Sequence, residues 1–324
     1  MTAGRVSLPA VLQKTAQGEI HMQDSLSERT KRSVFNHKAV PYLFIAPFII
    51  FFLVVYLYPF FKTIIMSFQR IDGPNHITWI GVSNYQKLFR DRNFAQSLMT
   101  TLRYAVWDLA ILCTVPLIVA VILNSGYVLF PSFFKSVFFI PALTSTIVAG
   151  IVFRLAFGTL ETSIANRVLA LFGQKSQDWL MHPGTANFVL IILTLWRWMG
   201  VNVVYYISGL QSIPPELYEA AEIDGASSIQ KFFYVTLPGV RPVLIYVITI
   251  TVLGGFAMFT ESVALFTQKY AGGIGRTIVG YMYQVGFYKS NLGMASAVGI
   301  VLLVIVFTVN FIQLILMGFF KKED

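Results

Sequence analysis

Six long apolar runs, at about 42–66, 100–124, 136–157, 185–210, 242–266 and 293–319, alternate with polar segments along this 324-residue chain. Each is close to the roughly 20 residues that a helix needs to cross the hydrocarbon core of a bilayer. A helix also satisfies its own backbone donors and acceptors, which lipid cannot do. The pattern predicts an all-α integral membrane protein with six transmembrane helices. Pro47 and Pro59 in the first run and Pro116 in the second are tolerable there, because neighbouring helices can satisfy the freed carbonyls. An even number of spans puts both termini on one side of the membrane.

Composition agrees. Apolar residues make up 56% of the chain, charged residues 12%, and the mean hydropathy is +0.68. A soluble domain carries about 25% charged residues, so an ordinary water-facing surface is excluded. The net charge of +9 is scattered over spans and loops, which suits anionic lipid headgroups better than nucleic acid. The single cysteine, Cys113, rules out an intrachain disulfide and a thiol–metal cluster. Residues 1–40 read as a polar tail. They are not a secretory signal, since the first apolar run is too far from Met1 and too long. The organisation expected is a cytoplasmic tail (1–40), a six-span domain (41–320) that includes a polar loop (211–240), and a short cytoplasmic tail (321–324). Lys31, Arg32, Lys38, Lys321 and Lys322 favour cytoplasmic termini. Arg70, Lys87, Arg90 and Arg92 count the other way, so charge bias alone does not decide.

The polar loop is the most informative stretch. Pro214-Pro215 suits the opening of a helix, and Glu216 and Glu219 suit its positive end. Gly225 is placed to stop it in the left-handed conformation. Ser227 or Ser228 can cap a second helix that runs toward Leu237 before Pro238. The small Ala220 and Ala221 let another backbone approach, and Glu219 and Glu222 offer carboxylates to a basic partner. Singly, each residue fits a solvated loop. Together, the run Glu219-Ala220-Ala221-Glu222-Ile223-Asp224-Gly225-Ala226, followed by Leu237-Pro238, resembles the loop by which permease subunits of bacterial ABC importers grip their ATPases.

The likeness extends further. Pro41 to Pro47, Tyr58-Pro59, Ser67-Phe68, Gly81 to Tyr85, Leu88-Phe89 and the Pro141 region resemble the carbohydrate permeases of the maltose, lactose and glycerol-phosphate group, and the alginate-importer permease. The resemblance covers most of residues 40–320. It implies the ABC type I importer permease fold, a homologous second permease, two ATPase subunits and an extracytoplasmic sugar-binding protein. The loop would then lie in the cytoplasm and the chain in the bacterial inner membrane. ATP and Mg would sit on the ATPases, and this chain would bind no cofactor.

The sequence holds no G-x-x-x-x-G-K-[ST] phosphate loop, no H-E-x-x-H and no G-x-S-x-G. His21, His37, His76 and His182 are too dispersed for a metal site read from sequence. The expectation is a non-catalytic subunit with no metal. An ion-coupled secondary transporter would show internal repeats with broken helices; none is evident. A membrane-embedded enzyme is the other rival, and no catalytic spacing supports it.

Charges within the spans bear on the substrate. Asp108, Arg154, Arg197 and Glu261 each carry a cost of at least about 2.5 kcal/mol at mid-membrane, so they default to functional or paired roles. The plainer alternatives are snorkelling for Arg154 and Glu261, and an internal Arg–Asp pair. By the resemblance, Thr194, Arg197, Trp198 and Val201, with Gly254, Gly255 and Met258 on the next span, fall where maltose-type permeases line their sugar site. The paired asparagines of the maltose permease are absent, which argues against maltose itself. A guanidinium beside an indole suits a sugar that also carries a carboxylate, so an acidic sugar such as alginate oligosaccharide is expected. A neutral oligosaccharide, glycerol-phosphate, or an interfacial aromatic belt with no substrate role remain as alternatives.

Overall fold

Residues 40–71, 76–266 and 273–319 are those described in the computed structural model. The expected tails, 1–40 and 321–324, lie outside them except for Val40, where the first helix begins. The chain divides into two units, Met1–Lys62 and Thr63–Asp324.

Most of helix α1 (Pro41–Ser67) belongs to the first unit. It widens into a π turn over Leu53–Leu57, just before Pro59. A proline ring clashes with the carbonyl four residues back, and a wider turn absorbs that clash without ending the helix.

The second unit opens with a hairpin that the hydropathy pattern did not reveal. Strands β1 (Gln69–Ile71) and β2 (Ile77–Trp79) pair antiparallel with Gln69 opposite Trp79. Helix α2 (Ser83–Arg90) follows, and its buried Asn84 donates to the carbonyls of Ser67 (2.8 Å) and Gln69 (3.0 Å). Helices α3 (Arg92–Asn124), α7 (Pro183–Gln211) and α13 (Leu292–Leu316) are single helices long and apolar enough to cross a membrane, as is α1.

The third apolar run is not one straight helix. It forms α4 (Pro131–Leu143) and α5 (Thr146–Ala156), bent by 98° at Thr144-Ser145. Thr144 is extended, and its hydroxyl donates to the carbonyl of Pro141. A second bend, of 71°, separates α9 (Ser228–Gly239) from α10 (Arg241–Ala257). The fifth run also breaks after Ala257. Met258 turns the chain, its carbonyl accepts from the Thr277 hydroxyl at 2.7 Å, and α11 (Thr260–Phe266) resumes the helix. Among the described residues the candidate spans thus number four, or up to six if each bent pair counts as one. Short helices α6 (Ile164–Leu171), α8 (Pro215–Ile223) and α12 (Ile278–Tyr283) fill the connections.

α7 is the hub, packing on α3, α4 and α10. Tyr104 donates to Thr194 at 2.5 Å, and Asn202 donates to the Leu112 carbonyl at 3.3 Å. Both ties advance eight residues along each helix, so α3 and α7 run in the same direction and the chain between them must return. Small residues set the closest crossings, as expected where backbones meet without a water-driven force. A Cβ on Gly200 of α7 would lie 2.0 Å from the Phe138 carbonyl oxygen of α4. One on Gly150 of α5 would lie 2.3 Å from the Ala264 Cβ of α11. Cys113, Leu117, Val203, Tyr206, Leu210, Ile213, Val240 and Val247 form the largest core at one end of the bundle, beneath the polar loop.

Candidate functional site

Two places gather the singled-out residues: the polar loop, and a cavity among α3, α7 and α10.

In the loop, α8 begins at Pro215, with Glu216 in its first turn, as the proline pair and the acidic residues predict. Gly225 has φ +74°, and the amides of Gly225 and Ala226 donate back to Glu222 (3.0 Å) and Ala221 (2.9 Å). Those bonds satisfy carbonyls left free at the end of α8, in the geometry that a left-handed glycine permits. Ser227 then caps α9 in a reciprocal box with Gln230. α9 does not stop before Pro238 but carries through it to Gly239, because a π turn over Phe232–Thr236 opens the helix ahead of the ring. The Tyr218 hydroxyl meets that of Thr236 at 3.0 Å, pinning α8 on α9.

The carboxylates of the loop differ. Glu222 is engaged inside the chain by Lys231 at 2.6 Å, which braces the two helices across Gly225. Among the described residues nothing pairs with Glu219, which is exposed together with Ala220 and Asp224; Ala221 and Ala226 are half-buried. Ile223 and Ile229 flank the turn at 88% and 72% exposure. A projecting knuckle with apolar flanks and a free carboxylate is a surface shaped for another protein.

The cavity encloses about 280 Å³. Its walls come from residues four apart on each helix: Tyr104, Asp108 and Leu112 on α3; Thr194, Trp198 and Asn202 on α7; Ile250 and Gly254 on α10, continued by Met258 and then Glu261 on α11. Four-residue spacing stacks side chains on one helical face. Thr251 and Ala257 complete the wall. The lining thus carries three hydroxyls, an amide and two carboxyls, and Trp198 supplies an aromatic face. Asp108 is 3% exposed, and its Oδ1 has no hydrogen-bond partner.

Thr194, Trp198, Gly254 and Met258 of the expected substrate residues therefore share one wall. Arg197, Val201 and Gly255 do not line it. Gly255 faces α3, where a Cβ would come within 3.1 Å of Ala105. Arg197 is buried and turned to the breaks in the bundle: Nη1 lies 2.7 Å from Glu261 Oε1, and Nη2 donates to the Thr144 carbonyl at 3.5 Å. Its guanidinium carbon is 5.4 Å from the Trp198 ring centre. The buried pair is thus Arg197–Glu261 rather than an Arg–Asp pair, and Arg197 holds Glu261 inward. Tyr104, Leu112, Asn202, Ile250 and Thr251 escaped sequence reasoning, since nothing local separates them from packing residues.

Comparison with known proteins connects both places. The family described as the inner membrane component of binding-protein-dependent transport systems matches residues 109–321, which include the whole loop and most of the cavity wall. This chain belongs to that family. It is therefore a multi-pass transport permease of the inner membrane and not an enzyme. The chain is 47% identical to the arabinooligosaccharides transport system permease protein AraP of Bacillus subtilis (strain 168), over 94% of its own length and 98% of that permease. AraP of Halalkalibacterium halodurans is 44% identical over 96% and 98%. The lactose transport system permease LacF of Rhizobium radiobacter is 30% identical over 84% and 92%. Among solved structures, a chain of a bacterial ABC transporter involved in the import of the acidic polysaccharide alginate matches with a TM-score of 0.77. That match covers 92% of this permease and all of the other chain; at 22% identity it is a likeness of fold.

Proposed function

We propose that this permease belongs to an ATP-driven importer of neutral oligosaccharides, with arabino-oligosaccharides the substrate to test first. The observation that carries the choice of a neutral sugar is the Arg197–Glu261 pair at 2.7 Å. An acidic sugar needs a guanidinium free to take a carboxylate in bidentate fashion. Here Glu261 already takes Nη1, Arg197 does not line the cavity, and the cavity itself presents Asp108 and Glu261. The indole of Trp198 remains for the apolar face of a sugar, and the hydroxyl and amide groups remain for its hydroxyls. The names of the AraP relatives point to the same class. The alginate likeness concerns fold alone.

In this reading the complex holds a homologous second permease, two ATPases that bind ATP and Mg, and an extracytoplasmic sugar-binding protein. The chain binds no cofactor, both termini are cytoplasmic, and so is the loop over residues 211–240. The loop docks on an ATPase through Glu219, Ala220, Ala221, Asp224, Gly225 and Ala226, while Glu222 keeps the knuckle rigid through Lys231. ATP-driven closure of the ATPases then moves the knuckle as a lever and rocks the bundle. The lever works only if docking differs between the two states, because equal contacts shift no equilibrium.

The test is uptake by proteoliposomes holding the assembled complex, supplied with the binding protein and labelled oligosaccharides. ATP-dependent entry of arabino-oligosaccharide, with oligouronates left outside, is the expected result. Preferential entry of oligouronates would overturn the neutral reading.

A further inference from the structure

We infer that Asp108 is the specificity-determining residue of the cavity, binding adjacent sugar hydroxyls through its carboxyl group and turning away sugars that carry acids. The inference rests on the sugar-import reading and deepens it.

Three observations meet at this residue. Asp108 is 97% buried by its 3% exposure, yet Oδ1 has no donor. A buried oxygen without a partner is costly, and a group that brings donors to it recovers that cost on binding. The neighbouring Tyr104 hydroxyl donates to Thr194 at 2.5 Å, and Thr194 donates on to the Leu190 carbonyl at 3.0 Å. Asp108 lines the cavity, so a bound molecule can bring donors to its carboxyl group. Finally, Gly254 leaves bare backbone on the wall. A Cβ there would meet nothing within 4 Å, so packing does not demand the glycine, in contrast to Gly255.

Neighbouring sugar hydroxyls are donors that a carboxyl oxygen can accept, while Trp198 covers the ring's C–H face. A uronate at the same place would set its charge beside Asp108 and Glu261, and Arg197 is already engaged by Glu261. Discrimination by unpaired polar groups is much stronger than discrimination by fit to an apolar wall.

The experiment is equilibrium binding of labelled arabinotriose and trigalacturonate to the purified complex of both permeases and ATPases, without the binding protein, so that the membrane cavity alone selects. Wild type is expected to take the neutral sugar and leave the uronate. D108A removes the acceptor, which D108N would keep in its amide oxygen, and should weaken arabinotriose by about threefold to a hundredfold and narrow the gap to the uronate. W198A serves as the companion variant. Loss of sugar in W198A with none in D108A overturns the role of Asp108 and leaves the cavity as the sugar site. Unchanged binding in both overturns the cavity as well. Should D108A not assemble, wild type alone still decides, because equal binding of the two sugars refutes the proposed selection.

Discussion

Arg197 and Glu261 stand 64 residues apart in the chain and 2.7 Å apart in the structure, joining the hub helix α7 to the segment that follows the break in α10. The same guanidinium reaches the Thr144 carbonyl, freed by the bend between α4 and α5. One buried cation thus joins the bend at Thr144 to the segment after the break at Met258. Breaking such a pair leaves an uncompensated charge, at a cost of about 3–5 kcal/mol. Glu261→Gln and Arg197→Met are each expected to lower the thermal midpoint of the purified complex. The double variant should recover much of the loss, a coupling that a double-mutant cycle reads directly. Strictly additive losses would show that the two side chains do not depend on each other.

Glycines separate packing from passage. Gly200→Ala forces a methyl to within 2.0 Å of a backbone oxygen that cannot yield like a side chain. A loss of about 1–3 kcal/mol and poor assembly are expected. At Gly254 a Cβ would meet nothing within 4 Å, so Gly254→Leu should leave stability within about 0.5 kcal/mol of wild type, while uptake falls as the cavity fills. Melting curves paired with uptake on the same preparations test the contrast.

Glu219 and Glu222 should behave differently. Glu219→Lys reverses a free carboxylate on the proposed docking face and is expected to uncouple ATP hydrolysis from uptake or to prevent assembly. Lys231→Met removes an exposed pair worth about 0–1 kcal/mol, with a correspondingly mild effect. Normal uptake and normal ATPase stimulation in Glu219→Lys would count against the loop as the coupling element.

Gly225→Ala tests the turn itself. Its φ of +74° costs an alanine about 1–2 kcal/mol. The expected outcome is a weaker association with the ATPases, measured by co-purification, with the membrane helices still folded by circular dichroism.

Acid should loosen the junction between α2 and α3. Burial pushes the Asp91 carboxyl up, but the Tyr281 hydroxyl at 2.7 Å and the Asn93 amide at 2.7 Å outweigh it and hold the group below its ordinary range. A carboxyl whose folded value is depressed contributes stability above its unfolded value, about 3.9, and loses it as pH falls through the folded one. The thermal midpoint of wild type should therefore drop below about pH 4 by more than that of Asp91→Asn. Parallel acid profiles would remove Asp91 from the account.

What local chemistry governs was legible along the chain. Hydropathy marked the six runs because lipid penalises every unsatisfied or charged group within a span. Pro214-Pro215, Gly225 and Ser227 marked the loop because helix starts, left-handed stops and caps are settled within a few residues. The hairpin at Gln69–Ile71 and Ile77–Trp79 left no such mark, since three-residue strands are too short to show a period.

Tertiary structure alone decided which charge meets which and where the spans break. A helix face shared by Thr194, Arg197 and Trp198 is equally consistent with a free or an engaged guanidinium, and only the fold brings Glu261 to it. The breaks at Thr144 and Met258 are held by Arg197 and Thr277, donors from distant parts of the chain. Hydropathy reports the solvent that a segment prefers. Bends and pairings depend on partners remote in sequence, because backbone groups freed inside a membrane must be satisfied by whatever the packed neighbours supply.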